Sequence, residues 1–143
     1  GAAIGAQLGN PQKRVIHVTG DGCFRMNCHE LCTVQHYDLP IITVVFNNGT
    51  LGMVRQWQSL LYGKRYSSTT LDRGPDFVKL AEAYGLSGYR VRTRAEMAQA
   101  LAQALQSGRG CVIDCRLDMD EMVRPMVAGG SAITDFLLKE GAN

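Results

Sequence analysis

Hydrophobic positions in this chain come in short bursts, and the bursts alternate between two periods. Val15-Ile16-His17-Val18, Ile41-Ile42-Thr43-Val44-Val45-Phe46 and Cys111-Val112-Ile113-Asp114-Cys115 are β-branched runs bounded by turn residues, and Tyr89-Arg90-Val91-Arg92 is a shorter one. Such runs read as strands, the first two buried. Between them the spacing turns helical. Residues 1–9 are small and apolar and stop at Gly9-Asn10-Pro11. Asn27-x-x-Glu30 fits a capping box that opens a helix carrying Cys28, Leu31 and Val34 and ending at Asp38-Leu39-Pro40. Pro75 opens a helix with Phe77, Leu80, Ala81 and Tyr84 on one face, closed by Gly85. Thr93-x-x-Glu96 is a second capping box, starting a helix faced by Met97, Leu101, Ala104 and Leu105 and ended by Gly108. Residues 122–130 read as irregular and 133–139 as a terminal helix. Strands alternating with helices predict a three-layer α/β/α fold with a mostly parallel sheet covered on both faces.

Composition narrows the class. At 143 residues the natural count is a single domain, 1–143, with a sizeable core. Apolar content of 45% describes a globular protein, and no run approaches the ~18 apolar residues of a spanning helix, so no membrane partner is expected. A formal charge of +2 does not by itself argue for nucleic acid. The start, Gly1-Ala2-Ala3-Ile4-Gly5-Ala6, has no initiator Met and no basic leader, and reads as the middle of a helix in a longer polypeptide. Five cysteines, Cys23, Cys28, Cys32, Cys111 and Cys115, form no C-x-x-C pair. Cys28 and Cys32 share one predicted helix face, and Cys111 and Cys115 one strand face. They read as buried free thiols in a reducing compartment; a cluster of Cys23, Cys28, His29 and Cys32 on a metal matches no common spacing.

The chemistry sits where the first two strands end. Gly20-Asp21-Gly22 follows one and Asn47-Asn48 the other, so parallel neighbours would bring Asp21 and Asn48 together at the carboxyl edge of the sheet. Glycines beside Asp21 let backbone approach a ligand, and a helix after the turn offers N–H groups to phosphate. A carboxylate there would repel phosphate unless a cation sat between them. Magnesium suits oxygen donors of this kind: the Asp21 carboxylate, the Asn48 amide oxygen and a backbone carbonyl just beyond it. The predicted object is a magnesium–diphosphate clamp. The alternative is two ordinary turns, Asp21-Gly22 in a hairpin and Asn47-Asn48-Gly49 another. No third glycine of a dinucleotide fingerprint and no P-loop Gly-Lys-Ser/Thr is present. Residues 53–71 carry Arg55, Lys64, Arg65, Trp57, Tyr62 and Tyr66 without an acid. They read as an ordered loop over an anionic site, or else as a single-strand nucleic-acid surface.

These words together resemble a known family. Gly20-Asp21-Gly22, twenty-four residues, then Asn47-Asn48 is similar to the thiamine diphosphate motif. Met26-Asn27, Glu30-Leu31, Leu39-Pro40, Leu51-Gly52-Met53-Val54, Gln56-Trp57-Gln58 and Arg65-Tyr66-Ser67 resemble the catalytic subunit of acetolactate synthase (acetohydroxyacid synthase) over essentially the whole chain. The resemblance implies the thiamine diphosphate-binding fold, as the C-terminal cofactor domain of a longer subunit. It implies magnesium on Asp21, Asn48 and the main-chain oxygen of Thr50, and Gly20, Gly22, Cys23, Leu51, Gly52 and Met53 around the diphosphate and thiazolium. Trp57 matches a residue that shapes the pocket for the second 2-ketoacid, unless it is simply a core aromatic.

The same resemblance implies decarboxylation of pyruvate and transfer of the remaining two carbons to pyruvate or 2-ketobutyrate, in branched-chain amino acid biosynthesis. Glyoxylate carboligase and sulfoacetaldehyde acetyltransferase are the alternatives within the superfamily, and a non-catalytic diphosphate-binding module lies outside it. FAD, the cofactor-activating glutamate, homodimer or homotetramer contacts through an N-terminal domain, a small regulatory subunit and a cytoplasmic setting belong to the family's larger subunit. No catalytic residue is therefore assigned within 1–143; Glu30 and Glu82 are carboxylates without an aligned role. Four departures stand out: Cys23 where serine is usual, His29 for glutamine, Thr50 for a larger residue, and Ala128-Gly129-Gly130 without a proline common near the end.

Overall fold

The β-branched runs become one parallel sheet. In the computed structural model, which describes residues 1–137, β1 (Ile16–Gly20), β2 (Ile42–Asn47), β3 (Ser87–Val91) and β4 (Cys111–Arg116) lie in the order β1-β2-β4-β3. Every neighbouring pair is parallel. Gly20 stands opposite Phe46, so Asp21 and Asn47-Asn48 leave the sheet side by side at its carboxyl edge.

Helices cover the sheet on two sides. On one face α2 (Asp21–Asn27), α3 (Leu31–His36) and α5 (Phe77–Ala83) bury Phe24, Leu31, Val34, Phe77 and Ala81 against Val45 and Val112, and Ile4 of α1 (Ala2–Gly9) packs at the margin. Phe24 and Phe77 meet edge to face, ring centroids 5.4 Å apart. Gly88 lets α5 lie directly on β3, because a Cβ there would stand 2.9 Å from the backbone of Val78. On the other face α6 (Arg94–Ser107) sets Ala100 and Ala104 against Ile42, Val44, Val91 and Ile113. The three-layer α/β/α expectation holds.

The second face is not covered from edge to edge. Ile16 and Val18 of β1 are 49% and 60% exposed, so β1 is not the buried strand its composition suggested. β1 is the edge strand, and α6 packs against β3 and β4 at the far side of the sheet.

Three local expectations change. The helix after β1 begins at Asp21, not Asn27: Gly20 is the N-cap, and Asn27 makes no side-chain cap. Glu30 instead accepts the Thr33 hydroxyl at 3.2 Å, and a 3-10 turn, Cys28–Glu30, separates α2 from α3. That break leaves Cys28 half-buried and Cys32 exposed rather than on a common face. Residues 53–71 are not one loop: α4 (Gly52–Leu61) takes the first half and an irregular return the second. The expected terminal helix over 133–139 is replaced at Phe136–Leu137 by β6, antiparallel to β5 (Met126–Val127); residues 138 and 139 lie outside the described residues. So short an apolar run does not nucleate a helix, and pairing with another strand satisfies its backbone instead.

The Thr93–Glu96 capping box is present in full, and Gly108 closes α6 in the left-handed conformation. Asp76 caps α5 by accepting the Val78 and Lys79 amides at 3.0 and 3.2 Å, just after Pro75. All five cysteines are free. Cys111 is buried, its thiol pushed up to about 11 by desolvation, whereas Cys23 and Cys32 are exposed, contrary to a wholly buried set.

Candidate functional site

A cavity of about 580 Å³ opens at the carboxyl edge of β1 and β2. Gly20, Asp21, Gly22, Cys23, Asn48, Thr50, Leu51, Gly52 and Met53 all line it. Both helices that start there, α2 and α4, are capped by residues that make no side-chain bond, Gly20 and Leu51. Leu51 thus leaves the first-turn N–H groups of α4 without a side-chain acceptor, whereas in α2 the Asp21 and Gly22 amides face the Asp21 carboxyl; the positive dipole end of each helix favours an anion.

Asp21 opens α2 at this edge. It is 2% exposed, and its Oδ2 has no hydrogen-bond partner among the described residues. Burial pushes the carboxyl above its ordinary range; the amides of Gly22, Asp21 itself and Gly49 and the Arg25 guanidinium hold part of that shift back. A buried carboxylate oxygen with no donor is costly unless a cation meets it.

The two adjacent asparagines do different work. Asn47 turns into the sheet, where its Nδ2 donates to Asp114 Oδ1 at 2.7 Å while Arg90 Nε donates to Oδ2 at 3.1 Å. Asn48 borders the cavity instead, its Oδ1 accepting the Thr50 amide at 3.2 Å. Gly49, at φ +68°, supplies the left-handed step that this tight turn requires. Gly52 clears space for the amide, since a Cβ there would lie 2.9 Å from Asn48 Nδ2.

An acid, a neutral amide oxygen and nearby main-chain carbonyls form an all-oxygen set suited to a hard divalent cation. No group of three or more His, Cys, Asp or Glu with metal-binding geometry exists among the described residues, which leaves the Cys23, Cys28, His29 and Cys32 cluster without support.

Trp57 stands apart from these nine residues. It borders a separate depression of about 520 Å³ with Val54, Gln58, Tyr62 and Arg65. Val54 borders both spaces. In the basic segment, Arg55 Nε donates to Asp120 Oδ1 at 2.7 Å and its guanidinium lies 3.7 Å over the Tyr66 ring. The two residues are thus committed to internal contacts.

Part of the wall escaped the sequence reading. Met26, Phe46, Gln56, Leu117, Glu121, Met122 and Val123 also line the cavity, so the segment after β4 folds back over the site. Gln56 holds it there: its Nε2 donates to the Val123 carbonyl at 3.1 Å, and its Oε1 accepts the Val123 amide at 2.8 Å. Glutamine is ordinarily a surface residue, yet Gln56 is 4% exposed. No local signal marked it, because the apolar positions Met53, Val54 and Leu61 of α4 are themselves exposed and the helical period points to the wrong face. Glu121 is the glutamate at this cavity, beside the Asp21 carboxyl; Glu30 lines a different one and Glu82 is exposed.

Comparison with known proteins places these features in context. Residues 1–115 match the family described as "Thiamine pyrophosphate enzyme, C-terminal TPP binding domain". The chain is 44% identical over 136 residues to the probable acetolactate synthase large subunit of Methanocaldococcus jannaschii, covering 95% of this chain and 23% of that protein. It is 45% identical over 132 residues to the acetolactate synthase large subunit of Porphyra purpurea, covering 92% and 22%. With that of Haemophilus influenzae the identity is 40% over 140 residues, covering 97% and 24%. The chain thus spans less than a quarter of the length of these three relatives. Among solved structures, a thiamine diphosphate-dependent 4-hydroxybenzoylformate decarboxylase of Rhodococcus jostii RHA1 superimposes with a TM-score of 0.76 at 34% identity, over 83% of this chain and 22% of that one.

Proposed function

Given that the chain belongs to the thiamine pyrophosphate enzymes, as their C-terminal cofactor-binding domain, we propose that it holds magnesium and thiamine diphosphate (the same cofactor) for an acetolactate synthase large subunit. The observation that carries the reading is the buried, unpartnered Asp21 Oδ2 at a cavity where two uncapped helices begin. Asp21, the Asn48 amide oxygen and the Thr50 main-chain oxygen would hold the magnesium ion. The first-turn amides of α4, and the Cys23 amide of α2, would receive the diphosphate. Cys23 and the Leu51-Gly52-Met53 segment that opens α4 would border the thiazolium, and the returning segment 117–123 would keep water out. When bound, the cofactor supplies an electron sink for decarboxylating a 2-ketoacid. Everything else asked of this chain is binding, orientation and exclusion of solvent.

The reaction in this reading joins pyruvate to a second pyruvate or to 2-ketobutyrate with loss of CO2. Trp57, beside the shared wall at Val54, would shape the space for the second 2-ketoacid. The activating glutamate, FAD, the subunit contacts of a homodimer or homotetramer, and any small regulatory subunit would come from outside residues 1–143. No catalytic group is assigned within the chain, and residues 1–143 alone should make no acetolactate. No helix among the described residues is long and apolar enough to cross a membrane; a cytoplasmic setting of the larger subunit is part of the same proposal.

Calorimetry on the full-length protein tests the cofactor. Thiamine diphosphate should bind only with magnesium present and far more tightly than ADP; equal affinities, or binding indifferent to magnesium, would count against the reading. Product analysis with pyruvate, 2-ketobutyrate and glyoxylate tests the reaction. Acetolactate and acetohydroxybutyrate are expected, and a product from glyoxylate alone would move the chain to a different carboligase.

A further inference from the structure

The two halves of the proposed metal site come from different crossovers, Asp21 from the β1–α2 turn and Asn48 with Thr50 from the β2–α4 turn. Backbone pairing of β1 and β2 ends at Gly20 and Phe46, so beyond it the ladder no longer fixes one turn against the other, and the Gly49 amide facing the Asp21 carboxyl is their direct contact. The structure supplies a separate tie. Thr69 accepts the Leu51 amide and the Thr50 hydroxyl, each at 2.8 Å, and Gly49 accepts the Leu71 amide at 2.8 Å. Thr50 and Thr70 thereby form an antiparallel bridge, so the strap 69–71 grips the Asn48–Leu51 turn from its outer side.

The other end of the strap is held from α2. Arg25, one helical turn beyond Asp21, donates from Nη2 to the Leu71 carbonyl at 2.7 Å. The Arg25 Nε is buried without an acceptor among the described residues, so the Leu71 bond is the polar anchor found for this head group. Space for it is left by Gly74, where a Cβ would overlap the guanidinium. Leu51 and Leu71 also close over Gly22, whose Cβ would meet them at 3.2 and 3.3 Å. A continuous path therefore runs Asp21, α2, Arg25, Leu71, Gly49, and back to Asn48 and Thr50.

We propose that Arg25 is a positioning residue: through the Leu71 carbonyl and the 69–71 strap it holds the Asn48–Thr50 turn at the distance from Asp21 that one divalent cation needs. This inference rests on the magnesium reading above and names the device that joins its two ligand turns. Gly74 belongs to the same device, by leaving the guanidinium its place.

The test is a double-mutant cycle in the full-length protein, read as the magnesium concentration that half-saturates thiamine diphosphate binding. Arg25→Ala removes the anchor, and Gly74→Ala displaces it while keeping its charge. Each should raise the half-saturating magnesium by about 10- to 100-fold, the usual effect of losing an outer-shell partner. Gly74→Ala should add almost nothing on top of Arg25→Ala, because the glycine acts only through the arginine. In the metal-free protein, amide exchange of Leu51 and Leu71 should quicken in both single variants while the unfolding midpoint moves little. Unchanged magnesium dependence in either single variant, or losses that simply add, would overturn the proposal. Wild-type protein that binds thiamine diphosphate without regard to magnesium would instead overturn the metal reading and this inference with it.

Discussion

Asp21→Ala should make the protein more stable without ligand and less stable with it. The wild-type carboxylate is 2% exposed with Oδ2 unpartnered, which costs roughly 1–3 kcal/mol in the metal-free fold. Its place in the first turn of α2 returns roughly 0.3–1 kcal/mol through the helix dipole. The net gain on removing it is about 1 kcal/mol, or roughly 2–4 °C in midpoint for a chain of this size. With magnesium and cofactor at a hundred times their dissociation constant, the wild type gains about 2.7 kcal/mol by mass action and the variant should gain none. Thermal unfolding with and without magnesium and thiamine diphosphate therefore gives two curves whose order reverses.

Acidity sharpens the same test. The folded-state pKa of Asp21 is raised, chiefly by burial, so between the unfolded and folded values the folded state binds the extra proton. Stability of the metal-free wild type should fall as pH rises through that window, and magnesium affinity should fall as pH drops through it. Asp21→Ala should show neither trend from this group. A variant destabilised in the absence of ligand, or one that keeps the magnesium-dependent shift, would refute the reasoning.

Three further outcomes follow from the packing. Gln56→Ala breaks both bonds to the Val123 backbone and should cost roughly 2–3 kcal/mol, with faster proteolysis within 117–125 in limited digestion. Gly88→Ala drives a methyl against the Val78 backbone and should cost roughly 1–3 kcal/mol by urea denaturation, with the strain felt where α5 meets β3. Thiol titration at pH 8 should modify Cys23 and Cys32 promptly, while Cys111, buried and with its thiol at about 11, reacts only on unfolding.

Much of the site was legible because its signals are local. The β-branched runs at 15–18 and 41–46 fix two strands, and Asp21 between glycines with Asn47-Asn48 one crossover later marks where they end. What escaped depends on contacts distant in sequence. Asn27-x-x-Glu30 has the letters of a capping box, but α2 had already begun six residues earlier at Asp21, which itself occupies the first turn behind an uncapped Gly20. Binary patterning assigns a glutamine to the surface, whereas Gln56 is buried because a segment 67 residues away needs its amide. The exposure of Ile16 and Val18 reflects how far α6 reaches across the sheet, which no local period records. Arg25 and Gly74 are unremarkable letters until the fold sets one against the other.

Manganese, which shares magnesium's preference for six oxygen ligands, permits the most direct measurement. Crystals of the full-length protein grown with manganese and thiamine diphosphate should show a single anomalous peak held jointly by the Asp21 carboxylate, the Asn48 amide oxygen and the Thr50 carbonyl. A peak touching only one of the two turns, or cofactor density at this edge with no ion between it and Asp21, would contradict the account.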